Sequence, residues 1–362
     1  MLTSLSFKKR FSKLEGLMDE ENIDLSIILQ ATNIYYLTGF PRGRALIVSS
    51  SSAPILIVPE LEYEEAKSIF KLGEIVSLKR RGELANLILQ CIRRIEIKGK
   101  IALELSAIPY NSYLNFKGKI SKELVDCSNL VRKLRMVKDE EEINLIQKSL
   151  RIAEKGVEAA FQNLNEGISE IELAGEAEYA MRKAGAEAFS FETLVASGTR
   201  SAYPHGTPTS KPLHKNETVI IDLGAKYCGY CSDITRSGVV GNGIQGKFKE
   251  IFDCIVEAIS IAVDEICEGI PASNIDMAAR KIIEHYGYGK YFNHGLGHGV
   301  GLSVHEAPSL SSQSGDILEK GNVVTVEPGI YIPGFGGVRI EEMVLVTSSG
   351  CKVLNSIPRI LQ

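Results

Sequence analysis

The sequence lacks an excess of either charge. Its 41 basic and 45 acidic side chains leave a formal net charge of −4, which gives no reason to expect a nucleic-acid or anionic-membrane partner. It also lacks any uninterrupted apolar run near the ~18 residues that span a bilayer. Lys8, Lys9 and Arg10 lead into a mixed amphipathic stretch through Glu20 and Glu21, with no apolar segment of the kind a secretory signal carries. Cysteine is sparse and poorly spaced for cross-links. Seven are scattered at 91, 127, 228, 231, 254, 267 and 351, an odd number that leaves at least one unpaired in a monomer. Cys228 and Cys231 form a C-x-x-C, but no second such pair completes a zinc site. A redox C-x-x-C is expected to open a helix, whereas this one lies among glycines in an expected hairpin. Reduced thiols in a cytoplasmic protein is the simpler reading. Histidine is scarcer still, with six in the chain and none before His205.

What remains is an ordinary soluble composition, 44% apolar and 24% charged, on a chain long enough for two domains. The first 130 residues read as a smaller α/β unit. Phe7–Met18 and Leu84–Ile92 have helical spacing. Leu25–Leu29, Ala45–Val48, Ile55–Val58 and Ile101–Leu105 are short strand-like runs, the third ended by Pro59. No metal-ligand cluster lies there, so it reads as an accessory domain, residues 1–130. Eight of the eleven residues 132–142 are charged, which fits a linker entering a helix.

Residues 131–362 contain a pattern that recurs. Ile143, Ile146, Leu150, Ala153, Val157 and Ala160 form an apolar stripe at helical spacing. Ser169-x-x-Glu172 is a capping box opening a second helix that ends near Gly185. Strand-like runs Phe189–Ala196 and Val219–Asp222 follow. Then Phe248, Ile251, Phe252, Ile255, Ile259 and Ile266 mark another long helix, Ser273-x-x-Asp276 a second capping box, and Val323–Val326 and Val338–Val346 two more strands. The offsets agree. Ile143 to Phe248 is 105, Ser169 to Ser273 is 104, Asp222 to Glu327 is 105 and Asp233 to Glu341 is 108. An internal duplication of about one hundred residues follows, placing two acidic hairpins face to face about a pseudo-two-fold axis.

The acids are oddly placed. Asp222 ends the apolar run Val219-Ile220-Ile221, and Asp233 follows after a glycine-bearing reversal. Val323–Val326 runs straight into Glu327, and Glu341 closes Val338-Arg339-Ile340-Glu341, where alternation puts Val338 and Ile340 on the core face and Arg339 with Glu341 on the other. Taken singly, each acid is more simply a solvated strand end. Four buried carboxylates need cations, and only Arg236 and Arg339 are near in sequence. Metal is the more economical answer. Carboxylates with one imidazole suit Mn, Co, Zn or Fe(II), and bridging carboxylates hold two ions. Three of the six histidines, His294, His298 and His305, fall within twelve residues, among four glycines that rule out a helix.

At Ile221-Asp222-Leu223-Gly224, Ser232-Asp233-Ile234-Thr235-Arg236, Gly297-His298-Gly299-Val300-Gly301, Val326-Glu327-Pro328-Gly329 and Val338-Arg339-Ile340-Glu341, the chain resembles the pita-bread metallopeptidases. That family includes methionine aminopeptidase, aminopeptidase P and Xaa-Pro dipeptidase (prolidase). The front 130 residues, including Asn33-Ile34-Tyr35-Tyr36-Leu37-Thr38-Gly39-Phe40, resemble the N-terminal domain that methionine aminopeptidases lack, which favours the proline-specific branch. The resemblance implies an α/β fold with a duplicated pita-bread domain and two divalent ions, Mn or Co before Zn or Fe. It implies ligands Asp222, Asp233, His298, Glu327 and Glu341, with a metal-bound hydroxide attacking the bond before proline. It further implies that Glu327 exchanges protons, that His205 and His305 hold the substrate carbonyl, and that His294 and Arg339 orient ligands or the proline end. The substrate would be a proline-containing di- or oligopeptide, and the assembly a homodimer.

There is one departure. His305-Glu306-Ala307-Pro308-Ser309-Leu310 lacks the arginine that prolidase-like members often carry for the proline carboxylate. Longer peptides therefore stay in view, as does a cation from a partner's loop near Asn33–Arg44. Two other readings compete. Gly241-Asn242-Gly243-Ile244-Gln245-Gly246 matches a dinucleotide-binding G-x-G-x-x-G, but the acids about 20 residues on, Asp264 and Glu265, lie inside the continuing helical pattern. A metal-free pita-bread binding module is the other, against which every expected ligand is present.

Overall fold

Apolar runs of the first third form one mixed sheet. The structure, a computed structural model, describes residues 4–241 and 243–360, and its contacts divide the chain into Met1–Arg135 and Met136–Gln362. In the first unit six strands lie in the order Glu74–Leu78, Ser52–Pro59, Ala45–Ser49, Ile23–Ile28, Lys100–Leu103, Leu124–Asp126. Alternation puts Leu25, Ile27, Ala45, Ile47, Ile55 and Ile57 in one cluster with Ile88, Leu89 and Ile92 of the Leu84–Ile92 helix. The strand expected through Leu105 stops at Leu103. Glu104 turns inward there, and its carboxylate accepts the N–H groups of Leu29 and Gln30, both at 2.7 Å.

The charged run 132–142 spans the end of the Ser128–Met136 helix and the first turn of the next. Asp139 caps the Glu140–Gln162 helix through a reciprocal box with Glu142. The expected box of Ser169 and Glu172 opens the Glu170–Lys183 helix. The two helices cross closely at Gly156, where a methyl group would meet Met181 Cγ at 2.7 Å. In the second half the Gly246–Glu265 and Ala272–His285 helices form the matching pair.

The second capping box does not form. The Ala272–His285 helix starts one residue before Ser273, because Ala272 donates to Asp316 O at 2.9 Å and Pro271 bridges Ile317. Asp276 is left inside the helix, where its carboxylate turns to Arg280.

Two expected strands are each broken. Phe189–Ala196 divides into Ala188–Phe189 and Leu194–Ser197, because Ser190 bends away to bond Gly224 O and Ala225 O. Val338–Val346 divides into Gly336–Arg339, paired with Gly329–Ile332, and Glu342–Thr347 in the five-stranded sheet. At the break Glu341 donates its N–H to Thr235 O in the other half of the unit.

The duplication is plain in the pairing. Thr218–Leu223 runs antiparallel to Ile234–Val239, with Leu223 opposite Ile234. Val323–Val326 runs antiparallel to Glu342–Thr347, with Val326 opposite Glu342. Asp222 and Asp233 thus flank one hairpin end, and Glu327 and Glu341 flank the other. Cys228 (φ 48°) and Gly229 (φ 79°) are the two-residue turn between Tyr227 and Tyr230, so the C-x-x-C is a hairpin tip. The Gly241–Gly246 loop follows an antiparallel strand, and Asp264 and Glu265 end the following helix, so the parallel frame of a dinucleotide site is missing there. Asn242 of that loop lies outside the described residues. No helix of the described residues is long and apolar enough to cross a membrane.

Candidate metal centre

Every residue of the Thr218–Leu223 strand is buried, so Asp222 enters the interior because of where it sits in the ladder. Asp233 is 5% exposed and Glu341 1%. Glycine lets His298 join them. The backbone at Gly297 and Gly299 lies against Thr325 O and Ala307 O, with no room for a side chain at either position. His298 Nδ1 stands 3.1 Å from Gly299 O, and a carbonyl only accepts, so Nδ1 carries the proton and Nε2 faces the acids. Nε2 lies 3.3 Å from Glu327 Oε1 and 3.6 Å from Asp233 Oδ2. Ligand atoms of Asp233, His298 and Glu341 lie within 4.8 Å of one another.

The electrostatics of the cluster call for cations. Burial, then repulsion from Glu341, Asp222 and Glu327, holds the Asp233 carboxyl well above its usual range. Burial, then Glu327 and Asp222, does the same to Glu341. Asp222 is raised by burial although Arg339 pulls the other way. Burial is the largest influence on Glu327 and His298 too and works against their charged forms, but their mutual hydrogen bond and attraction, with the neighbouring charges, together outweigh it, leaving the acid lowered and the imidazole raised. Two oxygens, Asp222 Oδ1 and Glu341 Oε1, are buried with no hydrogen-bond partner among the described residues. Buried acceptors are seldom left so. Oxygen donors with one imidazole, two of the oxygens unclaimed, fit divalent first-row metal ions.

Around the acids runs a hydrogen-bonded frame. Arg339, 4% exposed, pairs with Asp222 Oδ2. Its Nη1 donates to Tyr331 Oη (2.8 Å) and Pro204 O (3.1 Å), and its Nε to Thr235 Oγ1 (3.2 Å). Thr235 in turn donates to Glu341 Oε2 at 2.9 Å. Tyr331 Oη lies 3.0 Å from His294 Nε2, while His294 Nδ1 lies 2.8 Å from Gly295 O. The network assigns the proton to Nδ1 and makes the phenol the donor. Burial agrees with this, lowering His294 and raising Tyr331 to about 12.

His305 is exposed, with its ring centroid 4.2 Å from that of His298. Burial of part of the ring, then the charges of His298 and His205, lowers its pKa. His205 is exposed nearby. Arg236, expected near the acids, is fully buried but turned aside, bonding backbone oxygens of Thr235, Glu341, Ile357 and Pro358 and pairing with Glu342.

Sequence reasoning missed Tyr331, Thr235 and the Asp276–Arg280 pair. Alternation carried a signal for Tyr331, because Ile330 and Ile332 on either side belong to the core cluster. Arg280 stands four residues after Asp276 on one helix face, binding Phe292 O and His294 O as well.

Residues 144–348 match the model of metallopeptidase family M24, and residues 10–137 that of the creatinase/prolidase N-terminal domain. The chain is 43% identical over 354 residues to an Xaa-Pro dipeptidase of Pyrococcus furiosus, covering 97% of this chain and 99% of the relative. The solved structure of an Xaa-Pro dipeptidase from Bacillus anthracis superposes with a TM-score of 0.92 at 37% identity, covering 98% of this chain and 99% of that one. That of an X-Pro aminopeptidase from Thermotoga maritima gives 0.89 at 33%, covering 97% and 98%. The duplicated hairpins are therefore those of a two-domain pita-bread fold. By its matched domains, its full-length relatives and its cluster of acids, the chain belongs to metallopeptidase family M24.

Proposed function

We propose that this protein is an Xaa-Pro dipeptidase, cleaving the peptide bond before proline with two divalent metal ions held by Asp222, Asp233, His298, Glu327 and Glu341. The observation that carries the reading is that two buried oxygens, Asp222 Oδ1 and Glu341 Oε1, have no hydrogen-bond partner among the described residues, while ligand atoms of Asp233, His298 and Glu341 lie within 4.8 Å of one another. Bound divalent ions polarise a carbonyl and make a water-derived nucleophile available near neutral pH. Mn or Co is expected before Zn or Fe.

The chain's own residues do the rest. Glu327, whose Oε1 lies 3.3 Å from His298 Nε2, is placed to accept a proton during attack and return it to the leaving nitrogen. His305 and His205, on the exposed side of the cluster, hold the substrate carbonyl and stabilise charge developing on its oxygen. Arg339 fixes Asp222 and, through Thr235, Glu341. Tyr331 carries the same frame to His294, which orients the proline end.

The dipeptide preference is supported by the relatives named as dipeptidases. Cleavage of longer peptides is the second reading, favoured by the absence of an arginine in residues 305–310 and by the likeness to an X-Pro aminopeptidase. The assembly is proposed as a cytoplasmic homodimer with residues 131–362 as its catalytic domain. Hydrolysis of Gly-Pro, Met-Pro and Xaa-Pro-Xaa peptides with Mn, Co or Zn tests the reading. Dipeptides should be cleaved faster than tripeptides. Faster tripeptide cleavage replaces the first reading with the second, and no cleavage with any metal removes both.

A further inference from the structure

Glu170 is a buried carboxylate that the chemistry above leaves without a task. It is the first residue of its helix and is 0% exposed. Its Oε1 accepts the N–H and the hydroxyl of Ser197, both at 2.8 Å. Its Oε2 accepts the N–H (3.0 Å) and the hydroxyl (2.7 Å) of Thr209. Arg200 Nε lies 3.3 and 3.2 Å from the two oxygens.

Those partners are the two stems of one loop. Ser197 ends the Leu194–Ser197 strand, and Thr209 ends the segment 198–208, which holds a single 3-10 turn, Gly198–Ala202. His205 is exposed within that loop. Elsewhere the loop is held by Arg200 Nη2 on Thr207 O, by Gly337 N–H on Ser201 Oγ, and by Arg339 Nη1 on Pro204 O, next to His205. A loop with so little regular structure stays ordered only if its ends are fixed. A carboxylate saturated by donors in the interior is a stiff fixing point, because each lost bond leaves a buried group unsatisfied.

We propose that Glu170 is a positioning residue. By clasping Ser197 to Thr209 it sets where His205 stands beside the metal-ligand cluster, acting through the backbone without touching substrate. This rests on His205 facing the substrate, as proposed above.

The test is a cycle of Glu170→Gln and His205→Ala in the full chain loaded with Mn2+, assayed on an Xaa-Pro peptide, with hydrogen exchange read on the same proteins. Glu170→Gln keeps the shape but turns an acceptor into a donor facing donors. The expected loss in kcat/KM is roughly 10- to 100-fold with His205 present and less than about twofold in the His205→Ala background. Amides of 198–208 should exchange faster, while those of the Thr218–Leu223 and Glu342–Thr347 strands, and the bound metal per chain, stay unchanged. Equal losses in both backgrounds, or unaltered exchange in the loop, overturn the proposal. Thr209→Val removes one donor only and serves the same cycle if Glu170→Gln does not fold. If the wild type cleaves no Xaa-Pro peptide, the hydrolase reading fails, and loop exchange alone decides whether Glu170 is the clasp.

Discussion

Replacing Arg339 with methionine should destabilise the metal-free protein far more than the metal-loaded one. Arg339 is buried and pairs with Asp222, while also bonding Tyr331, Pro204 and Thr235. Burial works against its charge, but Tyr331, Asp222 and Glu327 outweigh it and hold its pKa well above the ordinary arginine value. Methionine fills similar space but leaves Asp222 without a counter-charge, a loss of about 3–5 kcal/mol for a broken buried pair. The Met136–Gln362 unit is of a size for which each kcal/mol lowers Tm by about 2–4 °C. Scanning calorimetry in EDTA should therefore show a drop of roughly 6–20 °C. With Mn2+ present the acids have other cations, and the drop should shrink by at least half. Arg339→Lys, which keeps the charge but not the planar fork, should fall between. A drop below about 2 °C in EDTA, or one that Mn2+ does not reduce, refutes the electrostatic reasoning.

Three further outcomes are expected. Asp233 is raised by burial and by its acidic neighbours, so its folded pKa stands above the unfolded one; such a carboxyl stabilises the fold at low pH and loses that contribution as pH rises through the folded value. In chelator the wild type should therefore lose Tm relative to Asp233→Asn as pH climbs from about 4 to about 8, and a constant difference would contradict this. Tyr331→Phe removes the hydroxyl between Arg339 and His294, at a cost of about 1–3 kcal/mol; steady-state kinetics should show kcat/KM falling about tenfold with metal content intact, and unchanged kinetics would remove Tyr331 from the frame. Ser169→Ala breaks the capping box of the Glu170–Lys183 helix and should cost about 1 kcal/mol, read as a small fall in Tm; no change would mean the cap is dispensable.

Much of the architecture was legible from local pattern. The stripe from Ile146 to Ala160, the box of Ser169 and Glu172, and the Leu84–Ile92 helix all follow from spacing and capping chemistry that act within a few residues. The duplication was legible because offsets of 104 to 108 residues recur between helices and acids alike. Where expectation and structure part, a distant group intervenes. The second capping box yields to Asp316, the Val338–Val346 run to Thr235, and the Phe189–Ala196 run to Gly224 and Ala225.

By itself the sequence determined which side chains are available, namely acids at the ends of apolar strands and histidines among glycines, because hydrophobic alternation and glycine freedom are local properties. Only the tertiary structure decided which oxygens stay unclaimed, that Arg339 rather than Arg236 answers Asp222, and that Tyr331, Thr235 and Glu170 brace the site. Those choices depend on hydrogen bonds and burial between residues more than a hundred positions apart in several cases, and a buried charge takes its partner from whatever the fold brings within reach.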